Sequence, residues 1–285
     1  MKNPTELKLA ESINSNYLFA SDFYEIKNWS FDFTQEKKIS QGYNDCFCIV
    51  FVKRGNFLID LSARSYDMHT GHLIVEKADY EYRMRPAAGA CSIFNFSKPF
   101  YEQFIHDYDL EKSFFFSNPN LLSLLLVSSP EIDYLHHQIL KSVVAGKLEM
   151  DSLVLALVQQ IAGCITEKSF EGELPASLRK NHFSTIEKAK EYMNDNFAED
   201  ISLRELADYC HTSAFHFCRT FKKFTSYSPH QYLLNVRLKH AELLLRNTSF
   251  PVADVCFSAG FNSIEHFSTM FKQKHKMSPS QFRRE

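Results

Sequence analysis

The chain has 285 residues, of which 45% are hydrophobic and 23% are charged, and its formal net charge at pH 7 is −2. This length exceeds the usual size of one domain and is enough for two hydrophobic cores. No apolar stretch is long enough to cross a bilayer and the N-terminus has no apolar signal segment, so we expect a cytoplasmic protein with no membrane partner. The seven cysteines are scattered, which favours reduced and buried thiols.

The near-neutral total charge conceals an uneven distribution along the chain. Residues 179–285 carry 16 Lys and Arg against 11 Asp and Glu, whereas the remainder carries 16 against 23. A basic end joined to an acidic remainder is typical of a chain whose basic end binds nucleic acid.

The first third of the chain has the sequence pattern of short strands. Residues 47–61 contain two runs rich in β-forming residues with a Lys-Arg-Gly-Asn turn between them, which predicts a hairpin. Residues 66–75 predict a further turn and strand, and more strands are expected at 80–84 and 91–96. Strands at a spacing of roughly ten residues indicate an antiparallel sandwich or barrel.

Helical spacing of apolar residues follows these strands. Residues 120–127 are rich in Leu, a helix is expected to begin at Pro130, and residues 149–165 carry one apolar face. That face must be buried, either against the strands or against a second subunit. Residues 167–180 combine Gly, Pro and charges without an apolar period, which predicts a linker between domains.

One pattern occurs twice near the C-terminus. Residues 213–222 return as residues 263–272, and the Ser-Pro pair at 228–229 returns at 278–279. Because the two copies share one pattern, each must be one supersecondary unit with the same requirements for folding.

Each copy is predicted to be two helices joined by a short turn. In the first copy, Ser202 and Glu205 have the spacing of a capping box, and Ser213 is placed to cap a second helix. This is the arrangement of a helix-turn-helix, whose second helix enters the major groove of DNA.

The second helix of each copy has two different faces. Four phenylalanines repeat on one stripe and are expected to be core: Phe217, Phe221, Phe267 and Phe271. The other face of the first copy carries Phe215, Arg219 and Lys222, where a solvated face would carry mixed charges.

These residues resemble a known family. The run Gly260-Phe261-Asn262-Ser263, with His266-Phe267, Phe271-Lys272 and residues 278–283, resembles the signature of AraC/XylS transcription regulators. The resemblance covers roughly residues 182–285. It implies two helix-turn-helix units, joined by a long helix at 230–246, whose recognition helices enter successive major-groove segments on one face of DNA. Where the family usually has Gly, this chain has His211 in the first turn, and Ser226-Tyr227 and Lys276-Met277 before the Ser-Pro pairs.

The resemblance also implies which residues face DNA. Carried over from the family's motif, the base-facing residues are Phe215, Cys218, Arg219, Ile264, Glu265, Ser268 and Thr269. Arg219 can grip guanine O6 and N7, and Phe215 can pack on a thymine methyl group. Phosphate contacts are expected from lysines near the ends of the recognition helices, with a solvated helix end as the alternative for each: Lys222, Lys223, Lys272 and Lys274. The second face has no Arg, so the second unit is expected to contribute less affinity than the first.

The predicted fold class is α+β, with an N-terminal antiparallel β-barrel, a helical segment and an all-α C-terminal pair of helix-turn-helix units. By position the barrel is similar to the cupin-like jelly roll with which many members of the family bind a small effector. We expect a sensor barrel at 1–118, a helical dimerisation or packing segment at 119–168, a linker at 169–181 and a DNA-binding domain at 182–285. The expected partners are double-stranded DNA, a small-molecule effector, RNA polymerase and a second copy of the chain.

Two alternatives remain open from the sequence. The first is a cupin-type metal-dependent enzyme with a helical appendage, but His69, His72 and Glu76 have the wrong spacing for a metal site and lie on a predicted turn. The adjacent His136 and His137 diverge on a helix and do not suit a shared metal. The second alternative is a regulator whose barrel only oligomerises.

No catalytic residue, metal or cofactor is expected. The sequence has no Gly-x-Ser-x-Gly elbow, no Gly-rich phosphate loop and no Cys in the Pro-Cys-His-Arg setting of alkyl-accepting repair proteins. Cys46 and Cys48 share one face of a predicted strand and Cys91 lies in another strand, which leaves a redox or metal sensor as a further hypothesis.

Overall fold

The computed structural model describes residues 13–34, 40–61, 64–85, 87–142, 146–166 and 176–284. Their strands are β1 (Ile13–Ala20), β2 (Tyr24–Asp32), β3 (Ser40–Asn44), β4 (Phe47–Leu61), β5 (Arg64–His69), β6 (His72–Glu76), β7 (Tyr80–Met84), β8 (Ala88–Phe96) and β9 (Ser123–Val127). Their helices are α1 (Lys98–Asp107), α2 (Phe114–Ser117), α3 (Pro130–Lys141), α4 (Lys147–Thr166), α5 (Ala176–Asp195), α6 (Leu203–Tyr209), α7 (Ala214–Thr225), α8 (Pro229–Asn247), α9 (Val252–Ser258), α10 (Ile264–His275) and α11 (Pro279–Phe282), with a short 3-10 helix at Leu110–Lys112.

The chain divides into two compact units. One contains Met1–Ser128 with Ile139–Ser184, and the other contains Ser129–Gln138 with Thr185–Glu285. The second unit therefore takes most of α3 from a point in the sequence well before its other helices. Of the predicted linker, residues 169–175 lie outside the described residues and residues 176–181 belong to α5.

The first unit is built on an antiparallel sheet, as the spacing of its strands predicts. The main path runs β1-β2-β8-β4-β6-β9, and β3, β5 and β7 join it through β4 and β7. Among the described strands β1 and β9 stand at the two ends of this path, so the sheet is open and not the closed barrel that the sequence predicted. The fold class is α+β as expected.

The hairpin predicted at residues 47–61 is wrong, because β4 runs through the expected turn without reversing. Its first part pairs with β6 and β8, and its second part pairs with β5 and β7. The register shifts between Val52 and Arg54, and Gly55 takes a left-handed φ of 99°. A Cβ at Gly55 would lie 2.5 Å from the Ala88 carbonyl oxygen. The Gly-containing segment is therefore an irregularity that bends one strand between two sets of partners.

The Leu-rich residues 120–127 also differ from the sequence expectation, because the structure contains a strand there and not a helix. Strand β9 pairs with β6 from His72–Val127 to Glu76–Ser123. The periodicity of a short apolar run does not distinguish a strand from a helix. Here the run is a strand that pairs with the edge of β6. The helices expected at Pro130 and at 149–165 are confirmed as α3 and α4.

Helix α4 is long and apolar enough, by length and composition, to cross a membrane, and the described residues contain no other such helix. Eight of its side chains are buried inside the first unit, among them Leu153, Leu157 and Ile161. Tyr24 donates a hydrogen bond of 2.6 Å to Asp151 near its start. These contacts are those of a core helix, and they match the alternative in which the apolar face packs within the chain.

Candidate DNA interface

The first helix-turn-helix unit consists of α6 and α7. The Ser202 hydroxyl accepts a bond from the Glu205 amide at 3.1 Å, and Ser213 accepts one from the His216 amide at 3.3 Å, so both helices are capped as predicted. The capping box is only half formed, because the Glu205 carboxylate accepts a hydrogen bond from the Tyr192 hydroxyl. In the turn, His211 takes a left-handed backbone with φ of 53°.

The second unit, α9 and α10, repeats this geometry. Ser263 accepts a bond from the His266 amide at 3.2 Å, and Gly260 takes a left-handed φ of 80° at the position equivalent to His211. A Cβ at Gly260 would lie 2.8 Å from backbone atoms of Phe197 and Ala198, so only Gly fits there. The first turn tolerates His, a residue that adopts this backbone more readily than most.

The two Ser-Pro pairs also follow left-handed residues. Ser226 has φ of 62° and Lys276 has φ of 64°, at the positions where the family usually has Gly. Complete capping boxes follow at Ser228 and at Ser278. The departures from Gly that the sequence showed therefore leave the turn geometry intact. The joining helix predicted at 230–246 is confirmed as α8.

The repeated phenylalanines form the core of each unit, as predicted. Phe217 and Phe221 lie in one apolar cluster with Tyr232, and Phe267 and Phe271 lie in another with Phe282. The rings of Phe217 and Phe221 lie 5.5 Å apart, and so do those of Phe267 and Phe271. Each recognition helix is thus fixed by its buried stripe, which leaves its other face outside the core.

The outer face of α7 carries the base-facing residues predicted for the first unit. Phe215 is 79% exposed, Arg219 is exposed and Cys218 is partly buried. Lys222 and Lys223 are exposed in the last turn. None of the described residues forms an ion pair with Arg219, so its guanidinium is available to a partner.

The outer face of α10 has a different character. Ile264, Glu265 and Thr269 are exposed and Ser268 is partly buried. The Glu265 carboxylate accepts a bond from the Ser263 hydroxyl at 2.6 Å, and this bond lowers the pKa of Glu265 below its usual value. Glu265 is therefore ionised at neutral pH, and phosphate repels it.

The four predicted phosphate-binding lysines do not share one setting. Lys222, Lys223 and Lys272 are exposed, but Lys274 follows Phe267 by seven residues and lies on the buried side of α10. Its ammonium group donates to Glu131 Oε1 at 2.5 Å and to Asn235 Oδ1 at 3.1 Å. The roles of all four lysines in DNA binding stay predictions.

Sequence reasoning missed the contribution of α3 to the compact unit that contains both helix-turn-helix units. Its acidic residues have the pattern of a solvated helix face, and no local signal pairs them with lysines far along the chain. The structure places Asp133 2.8 Å from Lys190 and Glu131 against Lys274.

The sheet of the N-terminal compact unit contains a cavity of about 150 Å³. This is roughly the volume that holds one benzene-sized ring in another protein. Its walls are mostly apolar and aromatic, with the exposed Tyr43 and Asp45 at its mouth. The other lining residues are Lys27, Trp29, Asn44, Cys46, Cys48, Val50, Phe57, Ile59, Ile74, Glu76, Tyr82, Met84, Cys91, Ile93 and Asn95.

Burial favours the uncharged forms of several polar groups that line this cavity. It raises the pKa of Glu76, whose carboxyl group accepts a bond from Cys48 Sγ at 3.2 Å. Burial also raises the pKa of Cys46 to about 12, so this thiol stays protonated. Within the described residues, no group of three or more His, Cys, Asp or Glu is placed to hold a metal ion. The rings of His69 and His72 lie 3.6 Å apart and are tilted by 37° at the turn between β5 and β6.

Two helix-turn-helix units on buried aromatic stripes, joined by one long helix, define a DNA-binding domain of the tandem helix-turn-helix class. Residues 206–285 match the family model described as a helix-turn-helix domain. Together with the signature around Gly260, this match identifies the C-terminal domain as a helix-turn-helix domain of the AraC type.

Two curated relatives each match about a third of this chain. The bifunctional transcriptional activator/DNA repair enzyme AdaA of Bacillus subtilis (strain 168) is 35% identical over 98 residues, which cover 34% of this chain and 46% of AdaA. The activator RhaS of Enterobacter sp. (strain 638) is 33% identical over 104 residues, which cover 36% of this chain and 37% of RhaS. The match thus spans less than half the length of these curated relatives.

Among solved structures, the C-terminal domain of AraT, a response regulator from Geobacillus stearothermophilus, is 28% identical with a TM-score of 0.34. The alignment covers 35% of this chain and 84% of that one.

Proposed function

We propose that this protein is a cytoplasmic, sequence-specific DNA-binding transcription regulator that acts by binding and without chemistry. The observation that carries the proposal is the repeated recognition helix. In each copy a stripe of buried Phe fixes the helix, and the opposite face is exposed with side chains suited to base edges. Arg219, which has no competing carboxylate among the described residues, is the strongest candidate for direct readout of a guanine.

The two units divide the work unequally in this proposal. The face with Phe215 and Arg219 reads bases and attracts phosphate, whereas the face with Ile264 and Glu265 offers a carboxylate that phosphate repels. Glu265 is compatible with DNA where it accepts a bond from cytosine N4. We expect the segment under α7 to have the sharper base preference, and the segment under α10 to be held mainly through backbone contacts.

Selection of bound duplexes from a randomised pool tests the proposal with the full chain. The expected result is an enriched motif of two segments about one helical turn apart. Enrichment of no motif at moderate salt would contradict sequence-specific binding. Mapping of bound DNA across a genome would then identify the genes that lie next to the binding sites.

We also propose that the cavity in the sheet of the N-terminal compact unit binds a small effector. The supporting observation is a lining that consists mostly of aromatic and aliphatic side chains with a few polar groups, the usual character of a small-molecule site. The ligand that suits it is compact and largely apolar, with one or two hydrogen-bonding groups. A change in this unit that accompanies binding would make DNA affinity depend on the effector.

A thermal-shift screen against small metabolites tests the effector proposal. A hit should raise the melting midpoint of the wild type and change its DNA affinity, and Ile93→Trp, which fills the cavity, should abolish both effects. Lys112→Trp places the same side chain at a position whose side chain is 84% exposed and serves as the control. If hits bind equally well to the Ile93→Trp variant, the cavity is not the site, and a role in oligomerisation alone gains support.

A homodimer completes the proposal. Helix α4 buries one face within the chain and exposes Leu148 and Leu155, seven residues apart on its outer side. Analytical ultracentrifugation of the wild type and of Leu155→Lys tests whether this outer side joins two copies. An unchanged mass would contradict that role.

A further inference from the structure

Helix α3 lies outside the segment that matches the helix-turn-helix family, yet residues 129–138 pack as part of the DNA-binding unit. Tyr134 is 2% exposed and belongs to the same apolar cluster as Phe221 and Tyr232. Its hydroxyl lies 2.7 Å from His240 Nδ1, and its ring meets that of Phe197 edge to face. The core of the first helix-turn-helix unit is therefore completed by a residue that precedes it by about seventy positions.

A buried ion pair anchors α3 to the helices that precede and follow this first unit. Asp133 Oδ2 lies 2.8 Å from the Lys190 ammonium group on α5 and accepts a bond of 3.1 Å from the Tyr232 hydroxyl on α8. Burial acts to lower the pKa of Lys190, but the carboxylates of Asp133 and Glu187 outweigh it and raise that pKa, so Lys190 is charged. A buried charge requires its partner. Asp133 is thus a fixed attachment point on α5 and α8.

Two residues before Asp133, α3 holds the second recognition helix. Glu131 Oε1 accepts a bond of 2.5 Å from Lys274 in the last turn of α10, and Lys274 also donates to Asn235 on α8. The Glu131 side chain is 11% exposed and that of Lys274 is 24% exposed, so solvent screens this pair less than a surface pair. One turn of α3 therefore bonds to α5, to the joining helix and to the second recognition helix, and its Tyr134 belongs to the apolar core of the first helix-turn-helix unit.

We infer that α3 is a brace for DNA recognition, in which Glu131 is a positioning residue that fixes the second recognition helix relative to the first. The inference rests on the proposed function. Two recognition helices that enter successive major-groove segments must match the helical repeat of DNA, about 10 bp. A brace attached to both units limits their relative motion before binding, which reduces the ordering cost of binding both segments at once. The preferred spacing of the two segments then depends on residues outside the family segment.

The test measures spacing preference, which a general loss of stability would not change. Full-length wild type, Glu131→Gln and Lys274→Met are each selected against duplexes in which the two preferred segments are separated by spacers of different lengths. The wild type should enrich one spacing sharply. Both variants should enrich several neighbouring spacings, keep the base preference within each segment, and bind the preferred site roughly tenfold more weakly, a typical coupling between linked sites.

Glu242→Gln is the matched control. The Glu242 side chain is 14% exposed and forms ion pairs with Lys239 and Arg246, but all three residues lie on α8, so neither of these two ion pairs joins two elements. The control should keep the spacing preference of the wild type. The double variant Glu131→Gln/Lys274→Met should be no worse than either single variant, because both remove the same contact.

Distinct results separate the brace from the proposed function. If the wild type enriches one spacing and Glu131→Gln enriches the same spacing as sharply, the brace is refuted while the DNA-binding function stands. Additive effects of Glu131→Gln and Lys274→Met would also refute it. If the wild type enriches no site at all, the proposed function itself fails.

Discussion

The division of α7 into a buried and a DNA-facing side gives a sharp prediction for two phenylalanines on one helix. Phe221 is fully buried, and its ring lies 5.5 Å from that of Phe217 and 5.4 Å from that of Tyr232 in an edge-on arrangement. Phe215, six residues earlier, is 79% exposed. The same substitution by Ala should therefore act on stability at Phe221 and on DNA affinity at Phe215.

The cost of Phe221→Ala follows from its burial. Loss of a buried Phe side chain in favour of Ala typically costs about 3–5 kcal/mol, because the apolar transfer energy is lost and a cavity is left. For a unit of about 100 residues, 1 kcal/mol corresponds to roughly 5 °C in melting midpoint. We therefore expect the melting midpoint of the DNA-binding unit to fall by about 15–25 °C. The underlying loss of about 3–5 kcal/mol is a large fraction of a typical total stability of about 5–15 kcal/mol.

Calorimetry of the full chain, followed by DNA binding well below the transition, separates the two effects. Phe215→Ala should keep the midpoint and lose about 1–3 kcal/mol of DNA affinity, the typical cost of one base-pair contact. Phe221→Ala should lower the melting midpoint, and its loss of DNA binding should follow from this loss of stability. A Phe221→Ala variant that melts like the wild type but does not bind DNA would mean that the two faces of α7 have been assigned the wrong way round.

Three further predictions follow from the interface and its core. Arg219→Ala should cost about 1–3 kcal/mol of affinity and relax the preference at one base pair, and an unchanged motif in a randomised-site selection would contradict direct readout. Lys272→Gln should weaken binding to all sequences and reduce the slope of log affinity against log salt by about one unit, whereas Glu265→Ala should alter sequence preference alone; salt titrations on two unrelated sites distinguish these outcomes. Burial lowers the pKa of His240 to about 4, so the neutral form is favoured in the folded state and stability falls as pH drops from about 6.5 towards 4. Denaturant melts should show a loss of about 2 kcal/mol between pH 7 and 5 that is absent in His240→Gln, and an equal loss in that variant would refute the assignment.

The C-terminal domain was predictable because local signals agree with the tertiary structure. Ser213 and Ser263 cap the recognition helices, the Phe stripes follow helical spacing, and the repeat shows that both copies have one fold. The left-handed residues were detectable as departures from Gly. That the turns accept residues other than Gly was not detectable, because backbone conformation at His211 and Lys276 is set by the turn and not by the residue alone.

The N-terminal unit was less predictable from sequence. The predictions that were wrong concern features that depend on pairing between distant strands. Gly55 has the sequence appearance of a hairpin turn, but close approach of β8 at Ala88 makes it a bend within one strand. The run that forms β9 became a strand because β6 offered a free edge. Neither partner is visible from the local pattern, and an open sheet cannot be distinguished from a closed barrel by strand spacing.

The ion pairs of α3 show the limit of sequence reasoning for the site itself. Asp133 and Lys190 are 57 residues apart, and Glu131 and Lys274 are 143 apart. Charges at such separations have no periodic relation, so only the folded structure brings them together. For the same reason Lys274 could not be distinguished from Lys272, although only Lys272 has an exposed side chain.

Chemical footprinting of the full chain on its selected DNA site tests the central claim most directly. Two tandem recognition helices should protect two major-groove segments on one face of the duplex, about 10 bp apart, with the sharper base preference under the helix that carries Arg219. Protection of a single segment, or equal loss of both segments in Arg219→Ala and in Glu265→Ala, would contradict the account of two units with unequal roles.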